Sequence, residues 1–518
     1  MKKTYIDTAM ERIAPDLILK GGNVVDVFSG RVIKADVIIK AGIICGAGSY
    51  SGENEQDVSG KYIMPGFIDS HVHIESSMTQ PSEYAKAVMP HGITTVIADP
   101  HEITNVCGED GLEFMLKSAE NIPLDVNLML PSCVPATPFE HTGANLDAKT
   151  TQKLAPKFFG IGEMMNYPGI VSGDDETLGK LCLDIIDGHA PLLSGHELDA
   201  YASAGIKTDH ECSVIEEMTE KISKGMYILL REGTLSLDVA KLIKGVTPYT
   251  LRRCAFCTDD RFVGEIIRDG SIDHCIRKAV SLGLNNIDAI IMATLNACEM
   301  YGMKNKGAIA PSYVADIVVA DDLNLSSISQ VYKNGKLVCE NGKALFECET
   351  VDNSKVTNTV HLPKISADFF KTDVKDKFDA IELIPESIIT KKVTVSYSDS
   401  LSKVCVIERH HNLGTKGIGF VTNYGITNGA IATSIGHDSH NVIVIGDNDS
   451  DMALAVNTLA TSGGIAVCSE GKVIASLTLD IAGLMSVKSA DEVTREHDNL
   501  YSAAKVLNIT DKIDPFLS

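Results

Sequence analysis

The sequence has no excess of positive charge. Its 518 residues include 46 lysines and arginines against 69 aspartates and glutamates, which gives a formal net charge of -23. An acidic surface repels phosphate groups, so this composition argues against a protein that binds nucleic acid or an anionic membrane. A small neutral substrate is compatible with it.

Long apolar runs are also missing. No run reaches the roughly 20 residues of a membrane-spanning helix, and the N-terminal MKKTYIDTAMERIAPD has no apolar signal-peptide core. The thirteen cysteines form no disulfide framework, and several lie in apolar runs, as Cys45, Cys182 and Cys405 do. We therefore expect a soluble cytoplasmic protein with reduced, buried thiols.

The length indicates more than one domain. Residues 16–64 consist of short apolar strands separated by turns, with Gly21-Gly22 predicted as one of the turns. Similar strands return after residue 315, where Asn334-Gly335 predicts a hairpin. We predict one discontinuous, β-sandwich-like domain from residues 1–64 and 310–350.

The C-terminal part of the chain predicts a further domain. Apolar runs begin at Gly417, Gly429 and Asn441, and a capped amphipathic helix is predicted from Asp449. We predict an α+β domain over residues 358–518.

Between these parts, residues 65–309 alternate apolar strand-like runs with segments of helical periodicity. Strands are predicted over residues 67–71, 93–98, 126–130, 158–162, 184–187, 206–209, 226–230 and 255–258. Helices are predicted over residues 81–90, 110–119, 212–223 and 236–244. Eight strands alternating with helices predict a (β/α)₈ barrel of the TIM type, whose function resides at the carboxyl ends of the strands.

Two histidines end the first of these strands. His71 and His73 are alternate residues of the stretch PGFIDSHVHIE, so their side chains project to the same face of a strand. By itself this pattern fits a pair of metal ligands and a core strand followed by polar residues equally well.

Further titratable residues follow the other strands. Together with the two histidines, the candidate metal ligands are His71, His73, Glu163, His189, His210 and Asp259. Four imidazoles and two carboxylates are about the ligand set that two bridged divalent ions need. His71, His73 and Asp259 would hold one ion, His189 and His210 the other, and Glu163 would bridge them. Any one of the six alone could be a core residue.

Several longer strings identify a resemblance. These are PGFIDSHVHIE (65–75), DPHEITNV (99–106), DGHAP (187–191), DHEC (209–212), REG (231–233), CTDD (257–260), GHDSHN (436–441) and GLMS (483–486). Together they resemble the adenine deaminases of the amidohydrolase superfamily over nearly the whole chain. The resemblance implies purine salvage by hydrolysis of adenine to hypoxanthine and ammonia, with water activated by two divalent metal ions. Mn²⁺ or Fe²⁺ is expected first and Zn²⁺ is a further candidate; we also expect a homo-oligomer.

Two positions depart from the common pattern of such barrels. Many relatives carry a carboxylated lysine on the fourth strand, where this chain has Glu163, which offers the same two oxygens and single negative charge. The loop after the fifth strand contains His196 as well as His189, and His196 competes for the role of ligand. We favour His189 because it directly follows the strand.

Roles follow for the remaining polar residues. Asp259 is the best-placed general base, and Glu102 is a second candidate for proton transfer or for the N–H edge of the base, or else a loop carboxylate that caps the next helix. Candidate substrate-binding residues are His101, His437, Asp438 and His440. For the last three, an internally hydrogen-bonded turn is an equal alternative. Residues 409–411 (Arg-His-His) are expected on a solvated surface.

Two other functions stay open from the sequence. Substrate choice in such barrels resides in loops, so another cyclic-amide or amino-sugar hydrolase is one alternative. A non-catalytic scaffold on the same barrel is the other, and the intact ligand set argues against it.

Overall fold

The N-terminal segment forms a helix and the first strands of a large sheet. In this computed structural model, which describes residues 1–373, 376–385, 390–396, 398, 401–510 and 513–516, these elements are α1 (Lys2–Ala9), β1 (Leu17–Asp26), β2 (Arg31–Lys40), β3 (Ile43–Gly48), β4 (Glu55–Asp57) and β5 (Tyr62–Pro65). Strands β1, β2 and β3 pair antiparallel, and β1 also pairs in parallel with β4 and β5.

The turn predicted at Gly21-Gly22 is wrong, because β1 runs through both glycines. The pairing of β1 with β2 shifts its register between Leu19 and Gly22, and Gly21 has a positive φ of 71°. The Gly21 amide donates to a carboxylate oxygen of Asp36 on β2, at 2.8 Å, instead of to the ladder. A bulge therefore bends the strand without ending it.

Eight parallel strands follow. They are β6 (Phe67–Val72), β7 (Ile93–Ala98), β8 (Asp125–Leu130), β9 (Gly160–Met164), β10 (Ile186–Gly188), β11 (Thr208–Asp209), β12 (Tyr227–Arg231) and β13 (Cys254–Cys257). The helices of this part are α2 (Pro81–Val88), α3 (His101–Glu120), α4 (Ala148–Leu154), α5 (Tyr167–Ser172), α6 (Asp175–Gly179), α7 (Gly195–Ser203), α8 (Ile215–Ser223), α9 (Val239–Leu242), α10 (Val263–Asp269), α11 (Ile272–Ser281), α12 (Asn286–Met292) and α13 (Leu295–Met300). The alternation confirms the predicted order.

The strands close into a barrel. One sheet runs in the order β10-β9-β8-β7-β6 and a second in the order β11-β12-β13. At one seam the Asp259 amide donates to the His71 carbonyl at 3.0 Å, and at the other the Gly188 amide donates to the Thr208 hydroxyl at 3.0 Å. The predicted (β/α)₈ barrel is confirmed, and its buried strands are rich in β-branched residues, as in ITTVIA of β7.

After the barrel the chain returns to the first sheet. It adds β14 (Ile317–Ala320), β15 (Ile328–Lys333), β16 (Lys336–Glu340) and β17 (Lys343–Ala344). Strand β14 pairs antiparallel with β5. The five strands that precede the barrel in the chain and the four that follow it therefore form one nine-stranded sheet. Asn334 and Gly335 both have positive φ in the hairpin between β15 and β16. The predicted domain boundaries stay a prediction.

The C-terminal part contains a second large sheet. Its elements are β18 (Lys377–Leu383), β19 (Thr390–Ser396), β20 (Ser402–Ile407), β21 (Lys416–Thr422), β22 (Gly429–Thr433), β23 (Val442–Gly446), α14 (Asp449–Thr458), β24 (Gly464–Ser469), β25 (Lys472–Thr478) and α15 (Ala490–Ala504). The Asn448 side chain caps α14 by accepting from the Asp451 amide. The mixture of strands and helices confirms the predicted α+β character.

Two expectations about the surface can be compared with the structure. Among the described residues, no helix has the length and apolar character to cross a membrane. The thirteen cysteines are all free thiols and most are buried, but Cys182 is exposed, contrary to prediction. It lies in the segment between α6 and β10, outside any strand or helix.

Candidate binuclear metal site

The two histidines of β6 face one point at the mouth of the barrel. His71 is fully buried and His73 nearly so, and their Nε2 atoms lie 3.1 Å apart. The alternation of side chains along the strand brings them together, as the sequence predicted. The backbone fixes the pair, because the His73 amide donates to the Asp259 carbonyl at 3.1 Å.

Glu163, at the end of β9, lies between two groups of histidines. Its Oε1 atom is 3.5 Å from His73 Nε2. Its Oε2 atom is 2.7 Å from His189 Nδ1 and 3.2 Å from His210 Nε2. One carboxylate oxygen therefore faces each group, which is the arrangement that a bridging ligand requires.

Asp259 completes the first group from β13. Its Oδ1 atom is 3.1 Å from His73 Nε2 and 3.6 Å from His71 Nε2, while Oδ2 accepts a hydrogen bond of 2.7 Å from Arg231 Nη1. Asp259 has a positive φ of 59°, which turns the chain just past the strand end and aims the carboxylate inwards.

The structure places His189, and not His196, beside Glu163. His196 lies on α7 with a fully exposed side chain, 3.9 Å from Asp199 of the same helix. His189 directly follows β10, so the barrel strand carries it to the centre. The distance along the chain from the end of the strand therefore distinguishes the candidate ligand His189 from His196.

The donor set fits two divalent ions. His71, His73 and Glu163 each offer an atom within 4.8 Å of the others, and so do His71, His210 and Asp259, and Glu163, His189 and His210. Burial alone would raise the pKa of Glu163, but the imidazoles of His189 and His210 hold it well below its usual range. Burial likewise opposes ionisation of Asp259, and the hydrogen bond from His73 with the Arg231 guanidinium holds its pKa well below normal. Both carboxylates are therefore in the form that binds metal.

A cavity of about 800 Å³ opens onto these residues. Its polar wall includes His101 and Glu102 from α3 and His437 and Asp438 from the loop after β22. Tyr424, Ile431 and Phe516 are among the apolar residues that face it from the C-terminal part. The cavity thus lies between the barrel and the C-terminal sheet.

The predicted substrate-binding residues do not all face this cavity. His101, His437 and Asp438 line it, whereas His440 is fully buried and does not. Glu102 lies in the first turn of α3 and not in a loop, and its Oε1 accepts from the Ser76 hydroxyl at 2.6 Å. The helix predicted from residue 110 begins at His101, so both residues have fixed backbone positions.

Comparisons with known proteins identify the family. The family model of the amidohydrolases matches residues 62–338, and that of the adenine deaminase C-terminal domain matches residues 383–518. The adenine deaminase of Clostridium acetobutylicum is 46% identical, with 99% of this chain and 94% of that protein covered. That of Nitratidesulfovibrio vulgaris is 43% identical, with 99% and 93% covered. This chain belongs to the adenine deaminase family of amidohydrolases. Among solved structures, the β-aspartyl dipeptidase of Fervidobacterium islandicum AW-1 is 19% identical, with 65% of this chain and 99% of that chain covered and a TM-score of 0.47.

Carboxylates and a buried arginine surround the ligands. Arg231 contacts Glu211 and Asp238 in addition to Asp259. It orients the Asp259 carboxylate by donating to Oδ2, the oxygen that does not face the histidines. Asp187 Oδ2 lies 3.6 Å from His71 Nδ1, the ring nitrogen that does not face His73. Such outer contacts fix the tautomer and direction of ligating histidines. No sequence motif indicated these contacts, although Glu211 follows His210 directly and Asp187 lies two residues before His189.

Lys221 of α8 forms hydrogen bonds with the two chain segments that carry His189 and His210. Its fully buried ammonium donates to the Ala190 carbonyl at 2.7 Å, to Asp209 at 2.9 Å and to Glu217 at 2.7 Å. Ala190 follows one histidine and Asp209 precedes the other. A single buried cation therefore sets the spacing of two predicted ligands.

Lys221→Met is expected to lower the free energy of unfolding by about 3–5 kcal/mol, because it leaves two buried carboxylates without their cation. Urea denaturation of the variant and the wild type measures the difference. Lys224→Met is the matched control: Lys224 pairs with Asp199 at the surface, so its loss should change stability by about 1 kcal/mol or less. Equal effects of the two substitutions would contradict the importance of the buried contacts.

The expectation that residues 409–411 are solvated is wrong for Arg409 and His410, which are buried, whereas His411 is exposed. Arg409 is fully buried: its guanidinium donates to the carbonyls of His440 and Ala482 and to the Thr359 hydroxyl. His411 Nε2 is 2.9 Å from the Thr142 carbonyl of the barrel. Backbone carbonyls replace water around Arg409, which permits a charged side chain to hold the 437–440 loop in place.

Proposed function

We propose that this protein hydrolyses adenine to hypoxanthine and ammonia. The observation that carries the proposal is the position of Glu163, with one carboxylate oxygen toward His73 and the other toward His189 and His210. The name shared by the two relatives, which match almost the whole chain, supports adenine as the substrate.

The proposed ligands divide into two sets that share a carboxylate. His71, His73 and Asp259 would hold one divalent ion, His189 and His210 the other, and Glu163 both. When bound, such ions lower the pKa of a water molecule so that it is a nucleophile near neutral pH.

Asp259 is the proposed general base. Its Oδ1 atom faces the cavity side of the histidine pair, while Arg231 holds Oδ2. It would accept the proton from the attacking water and pass it toward the ring nitrogen or the leaving amine. The oxygen of the attacking water forms the new bond to C6. One of its protons goes to the exocyclic amine, whose bond to C6 then breaks so that ammonia leaves, and the other goes to the ring nitrogen of hypoxanthine. Glu102, at the cavity wall, is the second candidate for proton transfer or for contact with the N–H edge of the purine.

The proposal includes the identity of the metal, the cellular setting, the oligomeric state and the residues that contact the purine. Manganese or ferrous iron is the first choice of metal, with zinc as a further candidate, because imidazole and carboxylate ligands suit all three. Purine salvage in the cytoplasm and assembly as a homo-oligomer are proposed with it. His101, His437 and Asp438 are proposed to form the wall on which the purine lies.

An ammonia-release assay tests the function. The full chain, loaded with Mn²⁺ or Fe²⁺, is given adenine, adenosine or adenosine monophosphate, and ammonia and hypoxanthine are measured. Adenine is expected to yield both products, and chelated protein none. Hydantoin and dihydroorotate represent the alternative cyclic-amide hydrolases. Ring opening of either, without ammonia from adenine, would contradict the proposal, as would two bound metal ions with no turnover.

A further inference from the structure

A second cluster of possible ligands lies where the barrel meets the C-terminal sheet. It comprises His101, from the first turn of α3, and His437 and Asp438, from the loop after β22. Each offers a ring nitrogen or carboxylate oxygen, and these three atoms lie within 4.8 Å of one another. More than 330 residues of sequence separate the two parts of the cluster, so only the folded protein brings them together.

His101 is the residue that needs an explanation. Its side chain is 4% exposed, and neither ring nitrogen has a hydrogen-bond partner. Its Nε2 atom lies 3.5 Å from Asp438 Oδ1, and its Nδ1 atom lies 3.3 Å from Glu163 Oε1. Neither of these contacts, nor the 3.9 Å from Nδ1 to Asp99 Oδ1, has the geometry of a hydrogen bond. A buried polar group without a hydrogen bond is unfavourable by roughly 1–3 kcal/mol, so this imidazole has the capacity to bind a ligand.

A cation at Nε2 would satisfy both nitrogens. Nδ1 would then carry the proton and face the Glu163 carboxylate. Metal-bound histidines commonly donate their second ring N–H to a carboxylate in this way. His437, whose side chain is 38% exposed toward the cavity, and Asp438 would supply the remaining protein ligands and leave room for water.

The charge of the cavity also favours a further cation. Eight carboxylate side chains line it, against two permanently cationic ones, Arg231 and Lys241. Two divalent ions at the first site would still leave carboxylate charge in excess. Two of these carboxylates adjoin the cluster: Asp438 Oδ1 lies 3.5 Å from His101 Nε2, and Glu102 Oε1 lies 3.7 Å from His437 Nε2.

We propose that His101, His437 and Asp438 form a third site, which takes a divalent transition-metal ion and joins the barrel to the C-terminal sheet. Two imidazoles and a carboxylate suit Mn²⁺, Fe²⁺ or Zn²⁺. The site goes beyond the proposed hydrolysis, for which two ions suffice. An ion there fastens the 437–438 loop across the cavity and becomes part of the wall beside the purine.

Metal counting on the full chain tests this site. The protein is stripped with a chelator and titrated with Mn²⁺; free Mn²⁺ is followed by electron paramagnetic resonance and bound metal by elemental analysis. The wild type is expected to saturate at three equivalents. Asp438→Asn and His437→Gln, which leave the six ligands of the first site intact, are each expected to saturate at two.

His411→Gln is the matched control, because it removes another contact between the C-terminal part and the barrel but lies outside the cluster. It should keep three equivalents. Saturation of the wild type at two would overturn the third site and indicate a direct His101–Asp438 ion pair, as would three equivalents in both variants. Two equivalents with ammonia release from adenine would leave the proposed function standing, whereas three equivalents without ammonia would contradict that function alone.

Discussion

Asp259→Asn is expected to lower kcat for adenine by about 10³-fold or more while the fold is retained. Asparagine has the same shape and can still accept a hydrogen bond from Arg231, which now approaches Oδ2 at 2.7 Å. It cannot take a proton from water at the oxygen that faces His73. Steady-state kinetics of the manganese-loaded variant measures the loss, and circular dichroism on heating checks the fold.

Asp238→Asn is the matched control for this substitution. Asp238 is also a buried carboxylate held by Arg231, but its Oδ2 atom accepts from Nε at 3.2 Å, whereas Asp259 accepts from Nη1. Its loss should change kcat by less than about tenfold, or ~1.4 kcal/mol. Near-normal kcat in Asp259→Asn, or an equal loss in both variants, would exclude Asp259 as the general base.

The barrel and the positions of the candidate ligands could be predicted because their signals are local. The run ITTVIA is apolar and β-branched throughout, and β7 has the predicted bounds 93–98. The pair His71 and His73 shares a face simply because side chains alternate along a strand. A polar residue that follows a buried parallel strand must lie at the barrel mouth, and this rule placed Glu163, His210 and Asp259.

The residues that orient the candidate ligands could not be predicted in the same way. Arg231, Lys221 and Arg409 are charged, and a charged residue is expected at the surface unless its partner is known. Most of their partners come from other strands and loops: Asp259, which follows β13, contacts Arg231 of the neighbouring strand β12. The meeting of His101 with Asp438 depends on how the C-terminal sheet packs against the barrel, which no local pattern encodes.

Glu163→Gln is expected to lose metal as well as activity. Glutamine keeps one carbonyl oxygen but has no negative charge, and its amide nitrogen would replace one of the two oxygens that face His73, on one side, and His189 and His210, on the other. Without the shared carboxylate, His189 and His210 have no proposed anionic ligand beside them, and the first group keeps only that of Asp259, so we expect both ions to bind more weakly. We expect fewer than two Mn²⁺ equivalents after dialysis, and a fall in kcat on the order of 10³-fold.

Glu211→Gln distinguishes bridging from general loss of negative charge. Glu211 Oε1 lies 3.7 Å from His189 Nδ1 and 3.5 Å from His210 Nε2, close to the same histidines, but its carboxylate is paired with Arg231. Because the Arg231 guanidinium neutralises the Glu211 carboxylate, that carboxylate contributes little to metal binding, and the variant should keep the metal content of the wild type. If Glu163→Gln keeps its metal and Glu211→Gln loses it, Glu211 and not Glu163 is the bridging ligand. If both variants keep their metal, the histidines are the main source of the affinity for metal.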